Sequence, residues 1–382
     1  MAEHPLSAPP RLPAGPGRAR RLVTAAAVCA LTAVLAGGCG YGSKGAVTTA
    51  PAAVPSSTTG PTLSASTVRI GYFANLTHAT PLIGMESGRF AADLGSTRIQ
   101  AQIFAAGPSE VEALDAGAVD IAWMGPSPAV NAYVKSHGTA LKIISGATSG
   151  GAELVVAPGI TSIADLRGRT IASPQLGNTQ DVALLDFLAG HGFRENSESG
   201  AGDVSVVRTD NSLTPTEFAD HRLDGAWVPE PTASELVAEG GHVLVNERSL
   251  WPGGQFTTTD MIVSDSFLRA HPDVVRAVLN ASVDTNAWIQ AHPALAEADA
   301  DAALKALTGR ALPAAVLSAA WSDLTVTDDP LASTLRTEAA HAVAVGLLKQ
   351  PDLSGIYDLA PLDAVLAAHG LPAVSAAGLG TP

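Results

Sequence analysis

Twice along this chain, short apolar runs of strand length alternate with stretches of helical length, and few architectures accommodate that rhythm. The first series reads as strands at 68–73, 99–104, 120–124 and 141–145, separated by helices at 81–92, 108–116 and 128–137. The second reads as strands at 170–173, 204–208, 225–228 and 242–246, with helices at 178–190, 215–221 and 231–239. Such alternation predicts a mostly parallel sheet covered on both faces. Two series predict two α/β lobes. From about 265 onward the pattern is nearly all helical, with Ala-rich stretches at 274–288 and 334–348.

The two series share a local signature. Pro108-Ser109-Glu110 leads into Asp120-Ile121-Ala122-Trp123-Met124-Gly125-Pro126, and Pro215-Thr216-Glu217 leads into Asp224-Gly225-Ala226-Trp227-Val228-Pro229. In each, a helix feeds an Asp-x-Ala-Trp strand and a Pro-containing turn opens the next helix. Related half-sites of this kind hold a ligand between them, at the carboxyl ends of the strands. The β-branched, apolar stretches 153–157 and 258–263 bracket the second series and read as crossings between lobes, hence as a hinge. The expected division is a first lobe over 67–160, a second over 161–256, and a return to the first lobe with C-terminal helices over 257–382.

What precedes residue 67 reads as targeting and tether. Arg11, Arg18, Arg20 and Arg21 form a basic region, and residues 22–35 then run for 14 residues without a charge, short for a membrane span. Ala36, Gly37 and Gly38 lead to Cys39. That pattern is similar to a bacterial lipobox, although Ala36 stands where Leu is usual; it implies a leader over 1–38 and a lipid on Cys39. Cys29, the other cysteine, lies inside the leader, so the processed chain would hold no second thiol for catalysis, a disulfide or a thiolate metal site. Residues 39–66, rich in Gly, Ser, Thr, Ala and Pro, read as a flexible tether. The net charge of -14 argues against nucleic-acid binding, which needs a basic face. It does not argue against a small anion, because a closed site is governed by local donors.

The candidate ligand contacts lie in loops that follow strands and open helices, where first-turn amides are unpaired and attract anions. Asn75 and His78 lie in the first such loop, and Ser127, expected at a helix cap with Pro128 just inside, in the second. Asn178 opens a helix of the second lobe. The segment 146–151 could approach a ligand through its backbone. Trp227 could wall the pocket and Glu230 could offer it an acceptor. Each has a plainer reading: Ser127 and Asn178 as caps, His78 as a satisfied polar group, 146–151 as a loop, Trp227 as core and Glu230 as surface. Asp181 brings a negative charge near the supposed anion site unless it points away. The ten His show no paired metal spacing, and no Gly-x-Gly-x-x-Gly, Walker or nucleophile-elbow motif occurs.

Taken together, Arg69-Ile70-Gly71-Tyr72-Phe73 with Thr77-His78-Ala79, Gly125-Pro126-Ser127-Pro128-Ala129-Val130-Asn131-Ala132-Tyr133, and the segments 146–151, 174–182 and 225–231 resemble the extracytoplasmic binding proteins of nitrate/sulfonate/taurine importers, most of all the aliphatic sulfonate type. The resemblance implies a type II periplasmic-binding fold, two α/β lobes joined by a hinge. It implies a lipid-anchored monomer on the outer face of the cell membrane, without a cofactor, catalytic group or metal. Its ligand would be a sulfonate-like small anion, delivered to an ABC permease and its ATPase. Carried over residue by residue, Asn75, His78, Ser127, Ser149, Asn178, Thr179, Gln180 and Trp227 become the ligand contacts, with Gly150 and Glu230 beside them. Taurine, nitrate and a neutral metabolite stay open as ligands. Pyrimidine-precursor and menaquinone-pathway enzymes resemble the same fold, and a sensor partner in place of an importer also stays open.

Overall fold

The computed structural model describes residues 62–381. The leader expected over 1–38, Cys39 and the tether as far as residue 61 lie outside the described residues. The end of the expected tether is not free of the body. Ser64 donates its backbone N–H to Asp273 at 2.7 Å, and Thr97 bonds the Ala65 carbonyl at 2.6 Å.

Each series of strands builds its own sheet. The first contains β1 (Thr67–Phe73), β2 (Arg98–Phe104), β3 (Ile121–Met124), β4 (Leu141–Gly150), β10 (Thr257–Ser264) and β11 (Leu324–Val326), in the order β11-β4-β10-β3-β1-β2. The second contains β5 (Ala152–Val156), β6 (Thr170–Ser173), β7 (Ser205–Arg208), β8 (Gly225–Pro229) and β9 (His242–Asn246), in the order β7-β6-β8-β5-β9. Both are more mixed than expected. β1 is parallel to β2 and β3, and β6 to β7 and β8, but β10 runs antiparallel to β3 and β4, and β5 to β8 and β9. The crossings are the cause. A strand arriving from the other lobe enters at the end where the parallel strands finish, and so runs against them.

The same crossing moves the lobe boundary. The second sheet begins at Ala152, not at 161, because β5 is one of its inner strands. Leu154 and Val156 belong to one apolar cluster and Val155 to the cluster on the opposite face, the alternation of a strand buried on both sides. Segment 146–151, considered as a loop, is mostly the end of β4. Gly146 pairs with Asp260 of β10 and Ser149 with Thr325 of β11. Its small residues hide the period-two pattern that would have marked it. The helix expected over 81–92 is two, Ala79–Glu86 and Arg89–Leu94.

The twin signature is structural. Asp120 accepts the backbone N–H of Arg69 at 2.8 Å and returns its own N–H to the Arg69 carbonyl at 2.8 Å; Asp224 does both with Thr170 at the same distances. Each aspartate also pairs with an arginine, Arg69 and Arg169. Trp123 meets Phe90 edge-on at 5.7 Å, and Trp227 meets Phe187 edge-on at 5.3 Å. One sequence pattern thus staples the middle of both sheets.

The C-terminal helices serve both lobes. Pro272–Ala291 packs in the first lobe, against Arg89–Leu94 and Ala360–Ala368. Ala314–Ser322 lies on Thr232–Ala238, and Ala332–Ala344 on Thr179–Gly190, both in the second lobe.

Candidate functional site

The carboxyl ends of β1, β3, β6 and β8 face one another across the cleft, where a ligand belongs in a sheet of this topology. Asn75, Thr77 and His78 follow β1, and Gly125 follows β3. Asn178, Thr179 and Gln180 follow β6 and open the helix Thr179–Gly190. These residues line one small site together with Phe73, Asn211, Pro229, Thr258 and Thr259. None of these twelve lining residues is an acid or a lysine or arginine.

His78 is held as a neutral group. It stacks on Phe73 at 4.3 Å, and its Nδ1 accepts the Phe73 backbone N–H at 3.2 Å. Burial pushes its pKa down to about 3. With Nδ1 accepting, the ring proton resides on Nε2, so His78 offers a donor without a charge. Asn75 accepts the Thr77 hydroxyl at 2.7 Å, and Asn178 donates to Gln180 Oε1 at 3.2 Å. These bonds orient the side-chain amides. Asp181 is removed from the problem it posed. Its carboxylate takes the Ser173 hydroxyl at 2.6 Å, the Gly177 N–H at 2.9 Å and the Arg208 guanidinium at 2.9 Å, all behind the helix opening.

The lobes touch at the site. The Ser127 N–H donates to Thr179 Oγ1 at 3.4 Å, and the Leu76 N–H donates to the Glu230 carbonyl at 3.2 Å. About 10 Å³ is left between the walls, enough for about one water molecule, so a larger ligand reaches these groups only when the lobes part.

Of the residues singled out in the sequence, Asn75, His78, Asn178, Thr179 and Gln180 come together here, with Ser127 beside them. Ser127 is not the cap of its helix. That helix runs Pro126–Lys135 with Gly125 as cap, so Ser127 meets the cleft through its backbone. Four others lie elsewhere. Ser149 and Gly150 sit in the crossing, where the Ser149 carbonyl accepts Arg248 at 3.0 Å. Gly150 has φ +78°, and a Cβ there would collide with the Arg248 guanidinium. Trp227 is core, its Nε1–H donating to Glu247 at 2.8 Å. Glu230 turns its carboxylate away from the cleft, onto the N–H and hydroxyl of Ser234 at 3.0 and 2.8 Å. Asn211, Thr258 and Thr259 were not foreseen. Asn211 follows β7 and obeys the same strand-end rule that found the rest.

Three comparisons set this site among known proteins. The chain is 27% identical over 211 residues to the taurine-binding periplasmic protein of Escherichia coli, covering 55% of this chain and 63% of that one. It superposes on the alkanesulfonate-binding protein SsuA from Xanthomonas axonopodis pv. citri bound to MOPS with a TM-score of 0.61, at 21% identity over 75% of this chain and 95% of that one. It superposes on the periplasmic nitrate-binding protein NrtA from Synechocystis with a TM-score of 0.65, at 14% identity over 82% of this chain and 87% of that one. The two structural matches establish the two-lobed fold. Residues 62–305 match the family model described as NMT1-like, well over half of the sequence, and the chain belongs to that family.

Proposed function

We propose that this chain is an extracytoplasmic solute-binding protein that captures a small anion, an aliphatic sulfonate above all, and delivers it to an ABC-type importer. The observation that carries the reading is a cleft lined by neutral donors with no opposing carboxylate. A sulfonate is fully ionised and only accepts hydrogen bonds, so donors from His78, Asn178, Thr179 and Gln180 suit it, and the opening of the helix Thr179–Gly190 adds a favourable dipole. The named relatives that bind taurine, alkanesulfonates and nitrate support the same class. The enzyme reading has less support. Nδ1 of His78 is already engaged by the backbone, and its depressed pKa suits it poorly to proton transfer near neutral pH.

The test is a thermal-shift series of the full chain against alkanesulfonates, taurine, nitrate, sulfate, phosphate and neutral metabolites. A saturable rise with sulfonates is expected, since a molecule that binds only the folded state stabilises it by mass action. A rise with neutral metabolites alone, or with nothing, rejects the reading.

The lipid anchor is part of the proposal. In cells, Cys39→Ala is expected to move the protein from the membrane fraction to the soluble one, measured by fractionation. Unchanged membrane attachment would reject Cys39 as the anchor.

A further inference from the structure

Glu230 gives its backbone carbonyl to the cleft and its side chain to a separate cavity of about 460 Å³, a size ordinary for a small-molecule pocket. This cavity shares no lining residue with the cleft site. It lies between the sheet strands β5 and β9 and the helices Thr232–Ala238 and Ala314–Ser322. Its lining divides evenly. Six residues are apolar: Val237, Ala238 and Val243 of the second lobe, and Ala315, Val316 and Ala319 of the helix that covers it. The other six are polar, three of them the acids Glu153, Glu230 and Asp323, and none is Lys, Arg or His. Val237 and Val243 are 41% and 40% exposed, so an apolar wall stands uncovered beside the acids.

The acids have fewer donors than their oxygens could accept. Asn246 shares one amide group between two of them, donating to Glu153 Oε1 at 2.7 Å and to Asp323 at 3.0 Å. Glu153 is only 8% exposed, yet its second oxygen, Oε2, has no hydrogen bond among the described residues. Glu230 is held by Ser234, a neutral partner. Arg248 is the one base at hand, and it is committed to Asp323 at 3.4 Å and to the carbonyls of Ser149, Gly254 and Asp323. Glu153 and Glu230 thus face one cavity with no cation of their own, an arrangement that is unfavourable for buried carboxylates until a counter-charge arrives.

We infer that this cavity is a second binding site, for a primary alkylammonium ion, with the charged head on Glu153 and Glu230 and the apolar stem along Val237, Val243 and Val316. The head supplies three donors and a positive charge where both are wanting, and hydrogen bonds between charged partners are the strong ones. The apolar half of the lining distinguishes an organic cation from a bare metal ion. No group of three His, Cys, Asp or Glu side chains among the described residues is arranged to hold a metal. Binding should also depend on pH. Burial, then Asp323, pushes Glu153 up to about 7, and burial pushes Glu230 up to about 8, with smaller additions from Glu153 and Asp323. The charged groups facing the two are Asp323 and, through it, Arg248. A cation favours the ionised carboxyls, so affinity rises with pH through this range, where an alkylammonium, like lysine, keeps its charge. The site stands independently of the sulfonate reading.

Calorimetric titration of the full chain with ethyl-, butyl- and hexylammonium chloride, and with butan-1-ol as the uncharged control, tests this. Butylammonium is expected to bind at least tenfold tighter than butan-1-ol, and affinity to rise about fourfold per methylene along the series. It should be about tenfold tighter at pH 8.5 than at pH 6.0. Glu153→Gln, whose amide oxygen can still accept from Asn246, should weaken butylammonium about tenfold and lessen its pH dependence. Val243→Trp, which fills the cavity from a partly exposed position, should weaken it by a similar factor, and serves as the second variant should the first fold poorly. No binding of any of the three amines, equal affinity for butylammonium and butan-1-ol, or parental affinity in both folded variants would overturn the site.

Discussion

Gly125→Val is expected to weaken ligand binding by roughly 10- to 100-fold while leaving the melting temperature near the parental value. Gly125 caps the helix Pro126–Lys135 with φ −70° and ψ 157°, a backbone that any residue adopts, so the substitution brings no local strain. Its consequence falls on the closed cleft alone. A Cβ at 125 would collide with Thr179 Oγ1 on the other lobe, whereas the nearest atom outside Thr179, the Thr258 carbonyl oxygen, lies at 3.4 Å. Overpacking of a tight contact costs about 1–3 kcal/mol, and here the closed form bears that cost while the open form escapes it. Calorimetry measures the affinity, and small-angle scattering with saturating ligand should show a more open particle than the parent. Parental affinity in the variant would mean that closure at Gly125 does not hold the ligand.

The melting temperature should fall, on the order of 5 °C, as pH rises from 5.5 to 8.5. Three carboxyls of the second lobe are responsible. Burial pushes Glu230 up to about 8, with smaller additions from Glu153 and Asp323. Burial, then Asp323, pushes Glu153 up to about 7, and burial pushes Glu247 up to about 7. In the unfolded chain such groups titrate near 4.3. Between that value and 7–8 the folded protein therefore holds more protons than the unfolded one, and stability falls as pH rises. Their contribution is complete below about pH 4 and is lost through the range 7–8. Burial raises Glu110, Asp260 and Glu338 in the same direction. Glu230→Gln should lessen the decline near pH 8, because an amide cannot ionise yet can still accept the Ser234 N–H and donate to its hydroxyl. A melting temperature that is flat or rising over this range would contradict the argument.

How far the sequence foretold this molecule depends on whether the information was local. The Asp-x-Ala-Trp repeat placed β3 and β8 correctly because its aspartate, alanine and tryptophan each act within the sheet they belong to. The helix openings at Asn75–His78 and Asn178–Gln180 were legible for a similar reason: strand, loop and helix follow directly in the chain. Ser149, Gly150, Trp227 and Glu230 were not. Their surroundings are set by pairings across long separations, such as Ser149 with Thr325 and the Trp227 indole with Glu247. Periodicity says that a strand exists, but not which neighbour it takes or which end meets the cleft. The antiparallel entry of β5 and β10 is likewise a property of the path between lobes.

One feature of the crossing governs the motion that binding requires. The Arg248 guanidinium donates to the Ser149 carbonyl at 3.0 Å, the Gly254 carbonyl at 3.1 Å and the Asp323 carbonyl at 2.7 Å, in space that the bare Gly150 leaves free. Three separate runs of chain are thereby riveted to a single cation. They can bend around that rivet but cannot slide past one another without stripping a partly buried charge of its acceptors. A parting of the lobes would then pivot at this cation rather than shear across the crossing. Donors on the two jaws would separate by swinging about that point, and a ligand's size would set where the swing stops.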